Sequence, residues 1–496
     1  MIRAALPCIF LLVACSGDKD TDDTSSGADD TSEPTTDSGP DDTESTDSTP
    51  PTDDTGGDSG TTSDGITCDD VARANCVFIK AGDTSGLLDA ANLLDDDSAI
   101  VLDGGTWAMN NALTIRSVTG ITVIGQGMGE TVLDFSEVAN QVNGVDVIAD
   151  DFHIEGLTIL EAPKDALRIE DSSDIVIRGV EATWVNEDDS SNGAYGLYPV
   201  RVQRVLMEDN VASNASDAGI YVGQCQHAIV RNNTARGNVA GLEIENTQFG
   251  DVYGNLVEDN TAGLVVFDLP GNPVIGRDVH VHDNVIQDNN RANFAPGGVV
   301  AEVPAGTGTF TMASRRVVIT GNTYANNNTA DIAVLSGLVI EEDPSQWYTV
   351  TEDIVGDITD LELFADEDGV YNFRTSDVWV HGNSHSGSGT SADMSSFTER
   401  PFGFLIGVLY GAETIDTVLY DSIGESAHHP TDPAQNSNDN RICVGDDDGV
   451  SFASLNVEEL LTQPLPDIDT VYRPEAPFTP FDCAGFEVIA PDLEAE

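Results

Sequence analysis

The chain has 496 residues with 87 acidic and 20 basic side chains, and its formal net charge is −67 at pH 7. A surface this negative repels the phosphates of nucleic acid and the headgroups of anionic lipids. The composition therefore predicts no nucleic-acid partner, and it favours divalent cations or a saline habitat as the source of charge screening.

Residues 1–15 have the pattern of an export signal. One positive charge at Arg3 precedes an apolar run over residues 4–14, which is too short to span a bilayer. The Cys15 that ends this run makes the segment resemble a bacterial lipoprotein signal, and that resemblance implies lipidation of Cys15. Ser16 resembles the residue that follows the cysteine in the class sorted to the outer membrane. We expect an exported protein at the outer membrane or cell surface, held only by its lipid anchor. The alternative is an ordinary signal peptide with an incidental cysteine.

Residues 16–65 are predicted to be a disordered acidic linker. They consist almost wholly of Asp, Thr, Ser, Gly, Pro and Glu, with 16 acidic residues and the single basic residue Lys19. Such a segment cannot bury enough apolar surface to offset the entropy lost on ordering. As a random coil it would reach about 40 Å, which is enough to hold a folded domain away from a membrane.

Residues 66–112 are predicted to cap the folded part. A strand at 77–80 precedes a helix that begins after Asp83 and places Leu87, Leu88, Ala91 and Leu94 along one side. A helix of this kind would cover the open end of a stack of strands.

Residues 113–420 contain a repeat of about 22 residues. The phrases at 218–222, 240–244 and 262–266 each begin Ala-Gly, and Gly219, Gly241 and Gly263 are 22 residues apart, with Gly196 lying 23 before Gly219. Apolar and polar residues alternate within each phrase, which is the period of a strand with one buried face. A short repeat built only of strands is typical of one coil of a parallel β-helix.

A set of asparagines keeps the same spacing at the ends of strands. Its members are Asn210, Asn233, Asn255, Asn284, Asn322 and Asn383. Asparagine tolerates the left-handed conformation and can bond its own backbone or the next coil. We expect a structural role for these residues.

Insertions near 269–277, 290–309 and 341–369 interrupt the coils, and long loops on a regular scaffold more often carry function than the scaffold does. The run at 402–409 is predicted to be a last strand, and residues 421–496 a polar closing segment. The whole is predicted to be one folded domain.

Exported chains oxidise their thiols, so cysteine pairs are expected. Cys68 with Cys76 and Cys443 with Cys483 are the predicted disulfides, and Cys225 is expected to be a small buried filler.

No cofactor is predicted. The aspartate runs at 95–97 and 446–448 could bind calcium, but neither has the ligand spacing of a dedicated loop, so solvated charge is the alternative.

The predicted site lies on the outer side of the repeated strands. Leu197, Ile220, Leu242 and Leu264 align as core positions, so the residues between them face outward. The predicted substrate-binding residues are Tyr198, Tyr221, Gln224, Glu243, Glu245, Asn246 and Asp268. Neighbouring coils lie about 4.8 Å apart, so two coils approximate one sugar ring. These residues would border a flat surface formed by Gly196, Gly219, Gly241 and Gly263. Alternatively, glycine occurs at these positions because the turn before each strand needs a positive φ.

Eleven of the basic residues lie between Lys164 and Arg316. They would either form a positive strip on one side of the solenoid or pair with nearby carboxylates.

The phrases at 193–200, 216–224, 266–270 and 293–296 resemble a bacterial family of exported parallel β-helix repeat proteins within the pectate-lyase-like superfamily. This resemblance covers about 105–383 and implies that the all-β fold, with the N-terminal helical cap predicted above, is a right-handed parallel β-helix. The chain is more distantly similar to mannuronan C5-epimerases, whose catalytic strand reads Tyr-Gly-Phe-Asp-Pro-His. Tyr195, Gly196 and Pro199 match that motif, whereas Tyr198 replaces its Asp and Val200 its His.

Epimerisation or β-elimination of a uronate requires a neutralised carboxylate, a base and an acid. The candidate catalytic residues are Tyr198 and Tyr221 as acid or base, Arg201 as a carboxylate clamp, and Glu243. Glu243 with Glu245 would instead suit a glycoside hydrolase, although both lie on one strand whereas a catalytic pair flanks the bond.

The leading hypothesis is a surface-tethered lipoprotein that binds an extracellular polysaccharide, with lyase or epimerase activity on it as a further expectation. The rival is a non-catalytic structural or adhesive surface protein.

Overall fold

The computed structural model describes residues 65–445 and 447–493. The predicted signal, the lipidation of Cys15 and almost all of the acidic linker lie outside these residues, and they stay predictions. Within the described part, no helix has both the length and the apolar character needed to cross a membrane.

Short strands follow one another along nearly the whole described chain. The first are β1 (Asn75–Ile79), β2 (Ser98–Leu102), β3 (Gly105–Ala108), β4 (Leu113–Ile124), β5 (Thr131–Asp134), β6 (Val145–Leu160), β7 (Leu167–Glu170) and β8 (Ser173–Thr183). The next are β9 (Tyr195–Val200), β10 (Gln203–Glu208), β11 (Val211–Ser213), β12 (Ala218–Gly223), β13 (Gln226–Arg231), β14 (Thr234–Arg236), β15 (Ala240–Glu245), β16 (Gln248–Tyr253), β17 (Leu256–Glu258), β18 (Ala262–Phe267), β19 (Arg277–His282) and β20 (Val285–Gln287). The last are β21 (Thr307–Met312), β22 (Arg315–Thr320), β23 (Thr323–Ala325), β24 (Ala330–Leu335), β25 (Tyr348–Val350), β26 (Phe364–Ala365), β27 (Gly369–Tyr371), β28 (Ser376–His381), β29 (Ser384–Ser386), β30 (Val418–Tyr420), β31 (Ile442–Val444) and β32 (Phe452–Ser454). The helices are α1 (Thr84–Asn92), α2 (Pro401–Tyr410) and α3 (Val457–Leu460).

Each strand of the solenoid pairs in parallel with the strand one coil away, and the pairings form three faces. The first face runs β4-β6-β7-β9-β12-β15-β18-β21-β24-β30-β32. The second face runs β1-β2-β4-β6-β8-β10-β13-β16-β19-β22-β28-β31. The third face runs β3-β5-β6-β8-β11-β14-β17-β20-β23-β29. The long strands β4, β6 and β8 belong to more than one face, and the predicted parallel β-helix is confirmed.

The core lies inside the coils and follows the predicted alternation. Leu197, Ile220, Leu242 and Leu264 are fully buried and directly opposite one another along the first face. Burying each such side chain contributes roughly 1.5–3 kcal/mol, so the stack of identical positions is the main source of stability.

The asparagines form hydrogen-bonded ladders inside the turns. The side-chain oxygen of Asn255 accepts from the backbone N–H and the Nδ2 of Asn233, both at 2.9 Å, and the Nδ2 of Asn255 donates to Asn284 at 2.9 Å. The predicted bonding to the next coil is confirmed. The left-handed conformation belongs instead to the residue before each asparagine, such as Asn232 (φ 56°) before Asn233.

A second ladder, which the sequence analysis missed, joins Asn238, Asn260, Asn289 and Asn327.

Neither explanation offered for the glycine column was correct. A Cβ on Gly241 would lie 2.5 Å from Cγ1 of Val257, and one on Gly219 would lie 2.5 Å from Nδ2 of Asn238. These glycines therefore face the interior corner of the coil and form no outer floor, and their φ is not positive. Glycine is required because the second asparagine ladder and the core leave no space for a Cβ.

The ends of the solenoid differ from the predicted bounds of 113–420, because β1, β2 and β3 of the predicted cap and β31 and β32 of the predicted closing segment pair within the three faces. Helix α1 buries Leu87 and Ala91 in the core, and disulfides join Cys68 to Cys76 and Cys443 to Cys483. Cys225 is buried, and burial raises the pKa of its thiol to about 12, which fits a filler and not a nucleophile.

The strand predicted at 402–409 is wrong, because this segment is helix α2. Pro401 occupies the first turn of the helix, where its missing N–H costs nothing. Apolar residues run through the segment without a period, and such a run does not distinguish a buried helix from a strand. The insertion at 341–369 contributes β25, β26 and the first residue of β27, and these three strands form a small antiparallel sheet beside the solenoid.

Candidate functional site

The outer side of the first face has an open part and a covered part. Over β7 the outward side chains of Arg168 and Glu170 are half-buried and polar. From β18 onward the outward residues are apolar and buried, namely Val265, Phe267, Phe310, Met312, Ala333 and Leu335. The insertions cover them with Phe294, Val300, Val303 and Trp347, and helix α2 adds Phe402. The outer surface predicted to bind substrate is thus covered from β18 onward.

Three tyrosine rings lie together where the covered part begins. The centroids of Tyr195 and Tyr198 are 4.4 Å apart and stacked, and Tyr221 lies 5.0 Å from Tyr195 and 4.7 Å from Tyr198. The guanidinium carbon of Arg168 lies 5.9 Å from the Tyr198 ring. Tyr198 stays half-buried, whereas Tyr221 is buried. The repeat brings these rings together because Tyr198 and Tyr221 occupy the same register on β9 and β12.

Carboxyl groups surround these rings. Tyr221 lies directly opposite Glu243 on β15, and Glu245 follows two residues later on the same side. Asp217 precedes β12, and Asp165 precedes β7. We call these residues the carboxyl–tyrosine cluster: Asp165, Tyr195, Tyr198, Asp217, Tyr221, Glu243 and Glu245.

Burial dominates the electrostatics of the cluster. It raises the pKa of Asp217 and that of Glu245 to about 7, although hydrogen bonds from Tyr195 and Tyr221 respectively act to lower them. The pKa of Glu243 is raised well above its usual value by burial and by the negative charges of Asp217 and Glu245. Several of these carboxyls therefore keep a proton near neutral pH, because among the described residues no basic side chain lowers the pKa of Asp217, Glu243 or Glu245 in this low-dielectric site.

Asp165 completes the cluster on the open side. Burial raises its pKa to about 6, against the opposing effect of Lys164 and Arg168. Its Oδ1 is buried and has no hydrogen-bond partner among the described residues. A buried carboxylate oxygen without a partner is costly when the group is charged, which agrees with the raised pKa of Asp165.

The other predicted site residues are placed differently. Asn246 and Asp268 are fully buried and hold the 269–277 insertion: the side chain of Asn246 accepts from the N–H of Leu269 at 2.9 Å, and Asp268 accepts from the N–H of Gly276 at 2.9 Å. Asp268 also forms a buried ion pair of 3.2 Å with Arg315. Asn246 and Asp268 thus fix the position of the 269–277 insertion and are themselves buried.

Arg201 is exposed, and carboxylates bind its guanidinium. It bonds Asp171 at 2.6 Å and pairs with Glu170. Gln224 is half-buried at the end of β12. The second explanation for the basic residues is confirmed for nine of the eleven, since each of these pairs with a carboxylate: Arg168, Arg178, Arg201, Arg204, Arg231, Arg277, Arg291, Arg315 and Arg316.

Sequence reasoning missed Asp165, Asp217, Tyr195 and Asn272. Asn272, from the first insertion, donates to Glu245 at 2.9 Å. The two aspartates each stand before an alanine at the start of a first-face strand, as Asp165-Ala166 and Asp217-Ala218. That recurrence was the available signal, whereas only the folded insertion reveals Asn272.

The aspartate runs take part in turns. Asp96 accepts from the N–H of Thr119 at 3.0 Å, and Asp447 accepts from Nδ2 of Asn383 at 3.1 Å. Asp446 lies outside the described residues. Calcium binding by these runs stays an untested prediction.

Residues 141–299 and 190–385 match a family model described as a right handed beta helix region. Over these residues the chain is similar to right-handed β-helix proteins. The handedness expected from the resemblance is thereby confirmed for this β-helix. No curated protein matches the chain.

Several solved structures are similar to this β-helix. The A-module of a mannuronan C-5 epimerase from Azotobacter vinelandii is 14% identical over 68% of this chain and 90% of that one, with a TM-score of 0.38. A pectate lyase is 13% identical over 54% of this chain and 77% of its own, with a TM-score of 0.38. An alpha-1,3-glucanase from Streptomyces thermodiastaticus is 15% identical over 52% of this chain and 53% of its own, with a TM-score of 0.35.

Proposed function

We propose that this protein binds an extracellular polysaccharide across the open part of the first face, and that the carboxyl–tyrosine cluster acts on it by proton transfer. The observation that carries the proposal is the meeting of three tyrosine rings with four carboxyl groups where the open surface ends. Tyrosine rings offer sugars an apolar stacking face, and their hydroxyls offer hydrogen bonds.

The charges of the cluster favour a neutral sugar over a uronate. A lyase or epimerase acting on uronates needs a cation to neutralise the substrate carboxylate. Arg201 is already engaged by Asp171 and Glu170, and Arg168 pairs with Glu170 at 2.7 Å. A uronate carboxylate would therefore find both of these arginines already bound by acidic side chains.

The cluster contains groups suited to acid catalysis at a glycosidic oxygen. A carboxyl with a pKa of about 7, such as Asp217 or Glu245, is protonated often enough near neutral pH to donate a proton. Asp217 lies one coil before Glu243 and Glu245, so the carboxyls are no longer confined to a single strand. A catalytic pair drawn from two neighbouring coils would answer the objection that Glu243 and Glu245 lie on one strand.

The test is to incubate the full-length protein with neutral glycans and uronans. Binding is measured by calorimetry, new reducing ends and masses report hydrolysis, and ultraviolet absorbance reports unsaturated uronates. We expect binding and cleavage of a neutral glycan. Binding without any product would support the rival adhesive function, and no binding to any glycan would refute the proposal.

Variants separate binding from chemistry. Tyr198→Ala should weaken binding about tenfold, because it removes a stacking face worth roughly 0.5–1.5 kcal/mol beyond its area. Asp217→Asn should lower kcat at least about 100-fold, with a smaller effect on affinity, because the amide cannot transfer the proton. Tyr348→Phe is the matched control, since its hydroxyl bonds Asp366 at 2.8 Å in the lateral sheet and not in the cluster.

A further inference from the structure

On the second face, two histidines and an aspartate converge on the outer surface. Asp251 of β16 lies directly opposite His280 of β19, and His282 lies two residues farther along β19. Residues two apart on a strand point to the same side, so the three side chains share one patch of the surface. The carboxyl–tyrosine cluster belongs to the first face and contributes no residue to this patch.

The potential ligand atoms are already close together. Oδ1 of Asp251 lies 3.0 Å from Nε2 of His282 and 3.5 Å from Nδ1 of His280, and one such atom from each residue lies within 4.8 Å of the others. Neighbouring ligands of a tetrahedral zinc ion, with bonds of about 2.0–2.1 Å, are about 3.3 Å apart. Small rotations of the side chains would therefore bring three ligands onto one ion.

We propose that Asp251, His280 and His282 form a binding site for a divalent transition-metal ion of the zinc class. Two imidazole nitrogens and one carboxylate oxygen suit Zn²⁺ and its first-row neighbours, whereas Ca²⁺ takes oxygen ligands almost alone. This site differs in place and in chemistry from the aspartate runs considered for calcium.

The surroundings of His282 prepare it for this role. Its Nδ1 lies 2.8 Å from Oδ2 of Asp283, and this contact leaves Nε2 directed at Asp251. A metal-bound histidine almost always donates its second ring N–H to such a partner, which fixes the tautomer and the orientation of the ring. The ring also stacks on Tyr253 at 4.8 Å and on His280 at 4.1 Å. These contacts limit rotation of both imidazoles.

The site remains open on its outer side. The side chains of His280, Asp251 and His282 are 32%, 26% and 21% exposed. Three protein ligands with an open fourth position is the arrangement in which zinc keeps a water molecule or takes a further ligand. The ion would also link two successive coils, because its ligands come from β16 and β19.

The test uses the full-length protein without a polyhistidine tag. Zn²⁺ is titrated calorimetrically in excess Mg²⁺ and moderate salt, which suppress general attraction to the acidic surface. Co²⁺ replaces Zn²⁺ for visible spectroscopy, because its absorption reports nitrogen ligation and a low coordination number. We expect one Zn²⁺ per chain and such a Co²⁺ spectrum.

Two variants decide whether these residues hold the ion. The double variant His280→Gln and His282→Gln should abolish both signals. Asp283→Asn keeps all three ligands and should weaken zinc binding about 10- to 100-fold, as loss of an orienting partner does. His153→Gln is the matched control, because His153 is also half-exposed beside an aspartate, at 3.5 Å from Asp151, and should bind zinc like the parent.

Absence of zinc binding by the parent protein would overturn the proposal. Undiminished binding by the double variant would overturn it equally, since the ion would then be held elsewhere.

Discussion

Replacing Asn255 by leucine tests whether the first asparagine ladder stabilises the solenoid. The substitution preserves the branched shape of the side chain and removes its polar atoms. Asn255 is buried and accepts from the N–H and the Nδ2 of Asn233. The side-chain oxygen of Asn284 accepts from the backbone N–H of residue 255 at 3.0 Å, and it keeps this donor after the substitution.

Two buried donors of Asn233 therefore lose their acceptor. Each buried donor left unsatisfied costs about 1–3 kcal/mol, so Asn255→Leu should lower the free energy of unfolding by about 4 kcal/mol. Urea titration followed by circular dichroism measures this change as a shift of the midpoint at constant slope. Asn186→Leu in an exposed loop is the control and should change stability by less than about 0.5 kcal/mol. A loss below about 1 kcal/mol for Asn255→Leu would show that water or backbone movement satisfies these donors.

Three further results are expected. Gly241→Ala should lower the free energy of unfolding in urea by about 1–3 kcal/mol, because the added Cβ would lie 2.5 Å from Cγ1 of Val257. Gly297→Ala is the control and should be neutral, because its added Cβ would have no neighbouring atom within 4 Å. Equal losses for the two variants would contradict this expectation. Replacing Cys443 and Cys483 by serine removes a disulfide that joins residues 40 apart in the sequence, and it should lower the free energy of unfolding by about 4 kcal/mol. An unchanged urea midpoint would contradict this expectation. Burial raises the pKa of Asp217 to about 7, so folded Asp217 holds a proton that the unfolded chain has lost. The stability that this proton contributes is therefore lost as pH rises from about 4 to 7. In a plot of the free energy of unfolding against pH, Asp217→Asn should remove this part of the decline, and an identical decline in both proteins would refute the expectation.

Much of the fold was predictable because its signals are local and repeated. The alternation through Leu197, Ile220 and Leu242 predicts strands with one buried side, and the spacing of about 22 residues predicts how they stack. Helix α2 was missed because a uniformly apolar segment has no period to distinguish helix from strand. The glycine column was misread because the obstacle to a Cβ, Asn238 near Gly219, belongs to the next coil.

The candidate site was predictable in part. The register between coils correctly aligned Tyr198, Tyr221 and Glu243 on one outer side. Asp165 shares with Asp217 the position before an alanine at a first-face strand, whereas Asn272 could not be assigned from the repeat because it belongs to an insertion.

The sequence by itself determined the β-helix, because each coil repeats the same short-range pattern and stacks on its neighbour. Only the tertiary structure decided which outward residues meet water. The insertions fold back over Phe267 and Phe310 and leave the tyrosines at the boundary, and this depends on contacts between segments far apart in the chain. Burial of Asp217 and Glu243 by the same long-range packing raises their pKa, which turns a row of outward residues into a candidate chemical site.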